Sequence, residues 1–185
     1  MTLTLRPPRI KPWSRTKVER VGHYRVFDVV KADMLLPNGE PCPHPIYTFA
    51  CGTWCNVIAI TPEEEVVFVW QYRHGTDAMS LEMPGGVVDA GEAPIDGARR
   101  ELLEETGYAG ELQLAGFSWL ASASRTERFV AIVRKAHRIA EPTNESGEFC
   151  ETAFMTLAEF RDHLRSGQLT DVDLGYLALD HLGVL

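Results

Sequence analysis

The residues best suited to chemistry in this sequence are glutamates in the segment Glu82 to Tyr108, EMPGGVVDAGEAPIDGARRELLEETGY. If the second half of the segment is a helix, a turn of about 100° per residue gathers Glu101, Glu104 and Glu105 beside an apolar stripe. Like charges one turn apart repel, and partial burial adds to the cost, so protons or cations must neutralise part of the group. Carboxylate oxygens of this kind are ligands that Mg²⁺ or Mn²⁺ prefers.

A second interpretation of this helix needs no metal. Charged side chains on helices are usually solvated, and Arg99, Arg100 and Arg125 could balance an exposed acidic face. The helix by itself leaves both interpretations open.

The wider spacing of the segment favours the first interpretation. Nine positions fit the pattern Gx5Ex7REUxEExGU, where U is a bulky apolar residue: Gly86, Glu92, Arg100, Glu101, Leu102, Glu104, Glu105, Gly107 and Tyr108. The pattern resembles the Nudix box, the signature of the Nudix hydrolase superfamily. Tyr108 stands where an aliphatic residue is more usual.

The resemblance implies a set of metal ligands. In the family the box forms a loop, a helix and a loop that hold Mg²⁺ or Mn²⁺, about two to three ions per site, against a diphosphate. By position the carboxylate ligands are Glu101, Glu105 and Glu104. The carbonyl of Gly85 or Gly86 is the implied backbone ligand.

Two catalytic residues follow from the same resemblance. Arg100 matches the arginine that orients the box carboxylates through charge-assisted hydrogen bonds. Glu148, just before Phe149, matches the general base that takes a proton from the attacking water. Glu145 and Glu151 are near enough in sequence to compete with Glu148 for that role.

Three further residues are candidates for contact with the substrate. Arg73 matches an arginine that binds phosphate, although a salt bridge at the end of a strand would explain it equally well. Glu82 matches a glutamate beside the metal cluster, or it caps backbone amides. Trp13 could stack on a nucleotide base.

The flanking segments resemble one branch of the family, the ADP-ribose or nucleoside diphosphate sugar pyrophosphatases. That branch hydrolyses a diphosphate linkage to a nucleoside monophosphate and a sugar phosphate. Many of its members carry a proline about fifteen residues beyond the box, and residues 120–127 contain none, so the identity of the sugar stays open. The alternatives are hydrolysis of a nucleoside triphosphate or dinucleoside polyphosphate, and a non-catalytic domain that senses a nucleotide sugar.

Several short strands and three helices must position these residues. Pro94 can begin a helix that ends before Gly107, the capping-box sequence Thr156–Glu159 begins a second that ends near Gly167, and Asp171 is a candidate cap for a third. The predicted strands are Tyr24–Leu36, Ile46–Ala50, Asn56–Ile60, Val66–Tyr72, Leu112–Trp119, Phe129–Val133 and Phe149–Met155. Helices among many strands indicate an α+β class, and the resemblance makes it a Nudix fold, an α/β/α sandwich around a mixed sheet with an N-terminal β extension.

Composition limits the remaining possibilities. The 185 residues carry 18 Lys and Arg against 26 Asp and Glu, a formal net charge of −8, which disfavours nucleic acid and anionic membranes as partners. Apolar runs are too short for a membrane span, and Cys51 and Cys55 lie too far apart along a strand for a disulfide, so we expect a soluble cytoplasmic protein. The expected organisation is residues 1–50 as an N-terminal extension and 51–185 as the Nudix domain. The resemblance implies a homodimer formed through that extension and a small-molecule nucleotide substrate.

Overall fold

The computed structural model describes residues 7–143 and 149–185, which divide into two compact units. The chain up to Cys51 together with Ala121–Arg125 forms the N-terminal unit. Gly52–Leu120 with Thr126–Leu185 forms the main unit.

The N-terminal unit is an antiparallel sheet of three strands, β1 (Ser14–His23), β2 (Phe27–Leu35) and β3 (Ile46–Cys51), in that order. The short segment from the second half of the chain joins it, because the Phe49 N–H donates to the Ala123 carbonyl at 3.0 Å. The strand β1 was not predicted from the sequence. Its residues are mostly charged and exposed, so they lack the apolar alternation that marks a half-buried strand.

The main unit is built on a mixed sheet. The strands of this unit are β4 (Trp54–Ile60), β5 (Glu65–Arg73), β6 (Ala78–Glu82), β7 (Gly85–Val87), β8 (Tyr108–Ala109), β9 (Leu112–Trp119), β10 (Glu127–Arg134), β11 (His137–Arg138) and β12 (Glu151–Thr156). The order in the sheet is β12, β5, β4, β10, β9, and only the pairing of β4 with β10 is parallel among the described strands. Two short strands extend the sheet, β6 on β5 and β7 on β4, and a separate pair is formed by β8 and β11.

One irregularity of this sheet prepares the site. The strands β4 and β5 pair with each other only where Ala59 meets Val67 and Ile60 meets Val66. Farther along, β5 pairs with β6 and β4 pairs with β7. The two residues that join β6 to β7, Met83 and Pro84, therefore cross the opening between β4 and β5. The predicted residues Glu82, Gly85 and Gly86 lie at the strand ends on either side of this connection.

Helices cover both faces of the main sheet. The helix α1 (Pro94–Thr106) packs on one core with Val57 and Ala59, while α2 (Leu157–Ser166) and α3 (Val172–Leu182) pack on the other with Ile58 and Ile60. Neighbouring residues of β4 thus serve opposite cores, as the two-residue period of a strand requires. Within the described ranges the longest helix is α1 with 13 residues, too short to cross a bilayer that needs about 20.

The ends of the first two helices agree with the prediction. Pro94 begins α1, and Gly107 ends it at φ 74°, in the left-handed region that favours glycine. Thr156 and Glu159 form the capping box of α2, and Gly167 ends that helix. For α3 the predicted cap position is confirmed, because Asp171 occupies the N-cap position, but its side chain makes no capping hydrogen bond.

Candidate active site

Two glycines bring the backbone between β4 and the carboxylates of α1. A Cβ atom on Gly85 would lie 2.1 Å from the Cys55 carbonyl oxygen, and one on Gly86 would lie 2.6 Å from the Glu101 carboxylate. At Gly85 the neighbour is backbone, so no larger residue fits, whereas a larger residue at Gly86 would displace the Glu101 carboxylate. The sequence Gly85-Gly86 therefore holds the backbone directly against the acidic side of α1.

The carboxylate of Glu105 is bound to this backbone. Its Oε2 accepts a hydrogen bond from the Gly85 N–H at 2.8 Å, and its Oε1 accepts one from the Cys150 thiol at 3.6 Å. Glu105 is only 4% exposed. Three of the predicted metal-binding positions, Glu105, Glu101 and the Gly85-Gly86 backbone, thus lie together, while Glu104 points to the more exposed side of the helix.

Arg100 joins the acidic residues of the box. Its guanidinium donates to Glu101 at 2.8 Å, to Glu104 at 3.1 Å, to both oxygens of Glu92 and to the Val87 carbonyl. The hydrogen bond with Glu92, with smaller contributions from Glu101 and Glu104, raises the pKa of Arg100. The same bond lowers the pKa of Glu92. Arg100 therefore links three carboxylates of the box through charge-assisted hydrogen bonds, and its orienting role stays a prediction.

Arg73 and Glu82 form an ion pair across the hairpin of β5 and β6. Glu82 Oε2 accepts from Arg73 Nε at 2.8 Å and from Nη2 at 2.5 Å. Burial acts to lower the pKa of Arg73, but the hydrogen bond and charge of Glu82, with the charges of Glu105 and Asp171, outweigh it and raise that pKa. The other oxygen, Glu82 Oε1, is buried without a hydrogen-bond partner in the described part of the chain.

The donor chemistry fits a hard cation. Glu82 is 2% exposed, and one of its carboxylate oxygens has no hydrogen bond from residues 7–143 or 149–185, which is costly unless a ligand satisfies it. The arrangement is not preformed, however. Within residues 7–143 and 149–185, no group of three His, Cys, Asp or Glu side chains could hold a metal ion as it stands. One reason is that Arg100 lies among three of the glutamates that the box supplies.

Some predicted residues belong to the N-terminal unit or lie outside the described residues. Trp13 belongs to the N-terminal unit, immediately before β1, and is 46% exposed. Glu148 and its competitor Glu145 lie outside the described residues. Glu151, the other competitor, is exposed at the start of β12 and pairs with Trp70.

Three residues near the site were missed by sequence reasoning. Asn56 is buried on β4 and donates to Asp171 at 3.4 Å, and Asp171 also accepts from Arg128 at 2.6 Å. A signal existed for Asn56, because it shares a strand face with Ile58 and Ile60, where an apolar residue is expected. Arg128 likewise precedes the apolar run of β10, but nothing in the sequence points to its partners.

A buried thiol lies beneath the loop. The Cys55 Sγ donates to the Gly86 carbonyl at 3.7 Å. Burial, with a smaller contribution from the charge of Glu101, raises the pKa of Cys55 to about 12. The thiol therefore stays protonated at neutral pH.

Comparison with known proteins supports the interpretation of the box. The model of the NUDIX domain matches residues 55–172, which include all nine box positions. Similarity to individual proteins extends over most of the chain. A CMP-5'-(N-acetyl-N-hydroxy-3-aminopropyl)phosphonate hydrolase of Streptomyces rubellomurinus is 32% identical over 171 residues, covering 89% of this chain and 81% of the relative.

Two further relatives and one solved structure are also similar to this chain over most of its length. The methanol dehydrogenase activator of Bacillus methanolicus is 31% identical over 162 residues, 84% of both chains. The ADP-ribose pyrophosphatase of Bacillus subtilis is 27% identical over 161 residues, 85% of this chain and 86% of the relative. The crystal structure of an ADP compounds hydrolase superposes with a TM-score of 0.78 at 18% identity, covering 97% of this chain and 100% of that one.

These comparisons confirm the predicted fold class, an α+β Nudix fold around a mixed sheet, and the predicted enzyme class. Nudix hydrolases in general depend on divalent metal ions, in agreement with the carboxylate chemistry of the site. The chain therefore belongs to the Nudix hydrolase family.

Proposed function

We propose that the protein hydrolyses the diphosphate linkage of a nucleoside diphosphate sugar similar to ADP-ribose, giving a nucleoside monophosphate and a sugar phosphate. The observation that carries the proposal is the buried carboxylate group around Gly85 and Gly86. Glu105 binds the Gly85 N–H, Glu101 lies against Gly86, and one buried oxygen of Glu82 has no partner among the described residues. The ADP-ribose pyrophosphatase relative, which matches over most of both chains, supports the choice of substrate.

The proposed cofactor is Mg²⁺ or Mn²⁺, about two to three ions per site. The proposed ligands are Glu101, Glu105 and Glu104, with the carbonyl of Gly85 or Gly86. Bound divalent cations would offset the negative charge of the diphosphate oxygens and make water easier to deprotonate. Arg100 would keep the box carboxylates oriented through its hydrogen bonds to Glu101 and Glu104.

The remaining proposed roles concern substrate binding and proton transfer. Arg73 would contact a phosphate, since its guanidinium is fixed by Glu82 at the edge of the site. Glu82 would border the metal ions. Trp13 would stack on the base, and Glu148 would accept the proton of the attacking water.

The direct test is product formation over a panel of nucleotides. The purified full-length chain is incubated with nucleoside diphosphate sugars, nucleoside triphosphates and dinucleoside polyphosphates, with Mg²⁺ or Mn²⁺ and with a chelator control. We expect metal-dependent release of a nucleoside monophosphate from at least one nucleoside diphosphate sugar. If no nucleoside diphosphate sugar is cleaved, the proposal is wrong.

The assignment of the base has its own test. Replacing Glu148 by Gln should lower turnover by about 10²–10⁴-fold at unchanged thermal stability, because the amide cannot accept the proton. The matched variants are Glu145→Gln and Glu151→Gln, measured with the same substrate. If Glu148→Gln retains activity and one of the other two loses it, the base is that residue.

A second candidate function comes from another relative. The methanol dehydrogenase activator of Bacillus methanolicus matches 84% of this chain, and its name describes an action on another enzyme. A Nudix domain that senses a nucleotide sugar without cleaving it would bind such a compound, for example in calorimetry, and show no metal-dependent turnover. The complete set of box carboxylates favours catalysis instead.

We also propose a cytoplasmic homodimer that forms through the N-terminal unit. The exposed apolar side chains of its strands, among them Val18, Val21 and Tyr47, support this. Sedimentation equilibrium tests it. We expect a species of twice the mass of one chain, and a monomer at all concentrations would rule the dimer out.

A further inference from the structure

The carboxylate of Asp171 is held in place by contacts that have no role in capping α3. Its Oδ1 accepts from Arg128 at 2.6 Å, and its Oδ2 accepts from Asn56 at 3.4 Å and from Thr170 at 3.2 Å. An Asp at this position normally accepts from the free N–H groups of the first turn, which stabilises the helix. Here that stabilisation is given up, and the carboxylate is directed toward β4.

Asn56 connects this carboxylate to the glycine loop. It is 6% exposed, and its backbone pairs with that of Gly85 in the ladder of β4 and β7. The two residues are in close contact, because a Cβ on Gly85 would lie 2.8 Å from the Asn56 Cα. Packing this tight means that a shift of Asn56 moves Gly85 as well.

Gly85 in turn fixes Glu105. The Gly85 N–H donates to Glu105 Oε2 at 2.8 Å, and β7 has only three residues and pairs with no other described strand than β4. The position of this N–H therefore depends on β4. Small displacements of a metal ligand or of its hydrogen-bond partner have large effects on metal binding.

We propose that Asp171 is a positioning residue for the Glu105 carboxylate, acting through Asn56 and Gly85, and that Arg128 keeps Asp171 in place. The inference rests on the proposed function, since it assigns Glu105 to the metal ions. It adds a residue outside the box to the apparatus that sets the geometry of the site.

Asp173 provides a matched control on the same guanidinium. Arg128 donates to Asp171 Oδ1 and to Asp173 Oδ2 at 2.6 Å each. The other described contact of Asp173 is with the Ser118 hydroxyl, on the side away from Asn56. The two aspartates thus share a role in holding α3 on the sheet, and only Asp171 continues toward the glycine loop.

The experiment compares Asp171→Asn with Asp173→Asn in the full chain. Mn²⁺ binding without substrate is measured by calorimetry, and stability is measured by urea unfolding. Steady-state kinetics with the substrate of the wild-type protein give kcat and the half-saturating Mg²⁺ concentration. For Asp171→Asn we expect Mn²⁺ binding weakened about 10–100-fold, with a lower kcat. For Asp173→Asn we expect the Mn²⁺ affinity and kcat to stay within about twofold of wild type. The loss of unfolding free energy should be similar to that of Asp171→Asn.

Equal effects of the two substitutions on Mn²⁺ binding would overturn the inference, because Asp171 would then serve only to hold α3. If Asp171→Asn does not fold, Asn56→Ala tests the same connection from β4, and wild-type Mn²⁺ binding in that variant also overturns it. The proposed function fails separately if the wild-type protein binds Mn²⁺ and cleaves no nucleoside diphosphate sugar. A wild-type protein that binds no Mn²⁺ contradicts both.

Discussion

Two arginines of the main unit each bind several carboxylates, but in different surroundings. Arg100 contacts three glutamates of the box, and its side chain is 27% exposed. Arg128 contacts Asp171 and Asp173, and its side chain is 8% exposed. The Arg100 group therefore has two carboxylates more than arginines, not counting the neighbouring Glu105. The Arg128 group has one carboxylate more than arginines.

The difference separates a group suited to binding cations from one suited to holding the fold together. Excess negative charge near solvent can be offset by cations, which makes it useful to a metal-dependent enzyme. The buried Arg128 guanidinium already contacts both carboxylates of its group, so a bound cation would add little stabilisation there. Removal of the guanidinium would leave two carboxylates without a charged partner in a partly desolvated place. Substitutions in the first group should thus change turnover. Substitutions in the second should change stability, and among them only those at Asp171 should also weaken metal binding, through Asn56.

The largest expected effect is on turnover, and it comes from Glu105→Gln beside the Arg100 group. Turnover should fall by about 10²–10³-fold, because the substitution removes a charge from the metal-binding group. The free energy of unfolding should stay the same or rise slightly, since the amide oxygen can still accept from Gly85 and one like charge is gone. Steady-state kinetics and urea unfolding measure the two quantities.

Asp96→Asn is the control on the same helix. Asp96 is in the first turn of α1 and pairs only with exposed Arg99 among the described contacts, so turnover should not change. Full activity in Glu105→Gln would place the metal ions elsewhere and remove the contrast between the two groups.

The next effect is one of stability, from Arg128→Met. Methionine fills a similar volume but leaves Asp171 and Asp173 without their partner, which should cost about 3 kcal/mol of unfolding free energy. The matched change Arg99→Met breaks an exposed pair with Asp96 and should cost less than about 1 kcal/mol. A loss in Arg128→Met no larger than in Arg99→Met would show that the buried group does not stabilise the fold.

The two groups also differ in how far the sequence predicts them. Glu92, Arg100, Glu101 and Glu104 lie within 13 residues on one helix and the loop before it, so a linear pattern captures them. Arg128 and Asp171 are 43 residues apart and meet because β10 pairs in parallel with β4 beneath the start of α3. No local pattern encodes that contact.

Elements of the fold that depend on contacts between distant residues were likewise harder to predict. Strands with buried apolar faces were predicted closely, and the bounds of β9 agree at both ends. The strands β6 and β7 were missed because they are short and contain Gly and exposed residues, although they position Glu82 and Gly85. Arg73 and Glu82 were each predicted as site residues, yet their ion pair depends on the hairpin that joins their strands and became visible only in the structure.

A smaller effect, on both activity and pH dependence, is expected from Arg100→Gln. Turnover should fall about 10–100-fold, because the box carboxylates lose the group that orients them. In the wild-type protein the hydrogen bond to Arg100 lowers the pKa of Glu92. The stabilisation that this bond gives the folded state is therefore present above the unfolded pKa of about 4.3 and is lost as pH falls through the folded pKa. The stability deficit of Arg100→Gln should thus be largest near pH 7 and shrink below about pH 4, measured by thermal melts across that range. A deficit that is independent of pH would mean that Arg100 acts by packing and not by charge.

The smallest effect concerns Cys55, which lies under the Arg100 group. Burial raises the pKa of this thiol to about 12, whereas an unfolded cysteine ionises near 8.5, so its contribution to stability is complete below about pH 8.5 and declines as pH rises toward 12. At pH 10 the loss is on the order of 1–2 kcal/mol, and Cys55→Ser should remove this part of the decline while its hydroxyl still donates to Gly86. Cys55→Ala should show the same flatter profile at lower absolute stability, because it removes the titrating group and leaves a small cavity. If both variants keep the wild-type slope between pH 8.5 and 10 in urea unfolding, the thiol ionises with the protein folded and the region beneath Gly86 is open to water.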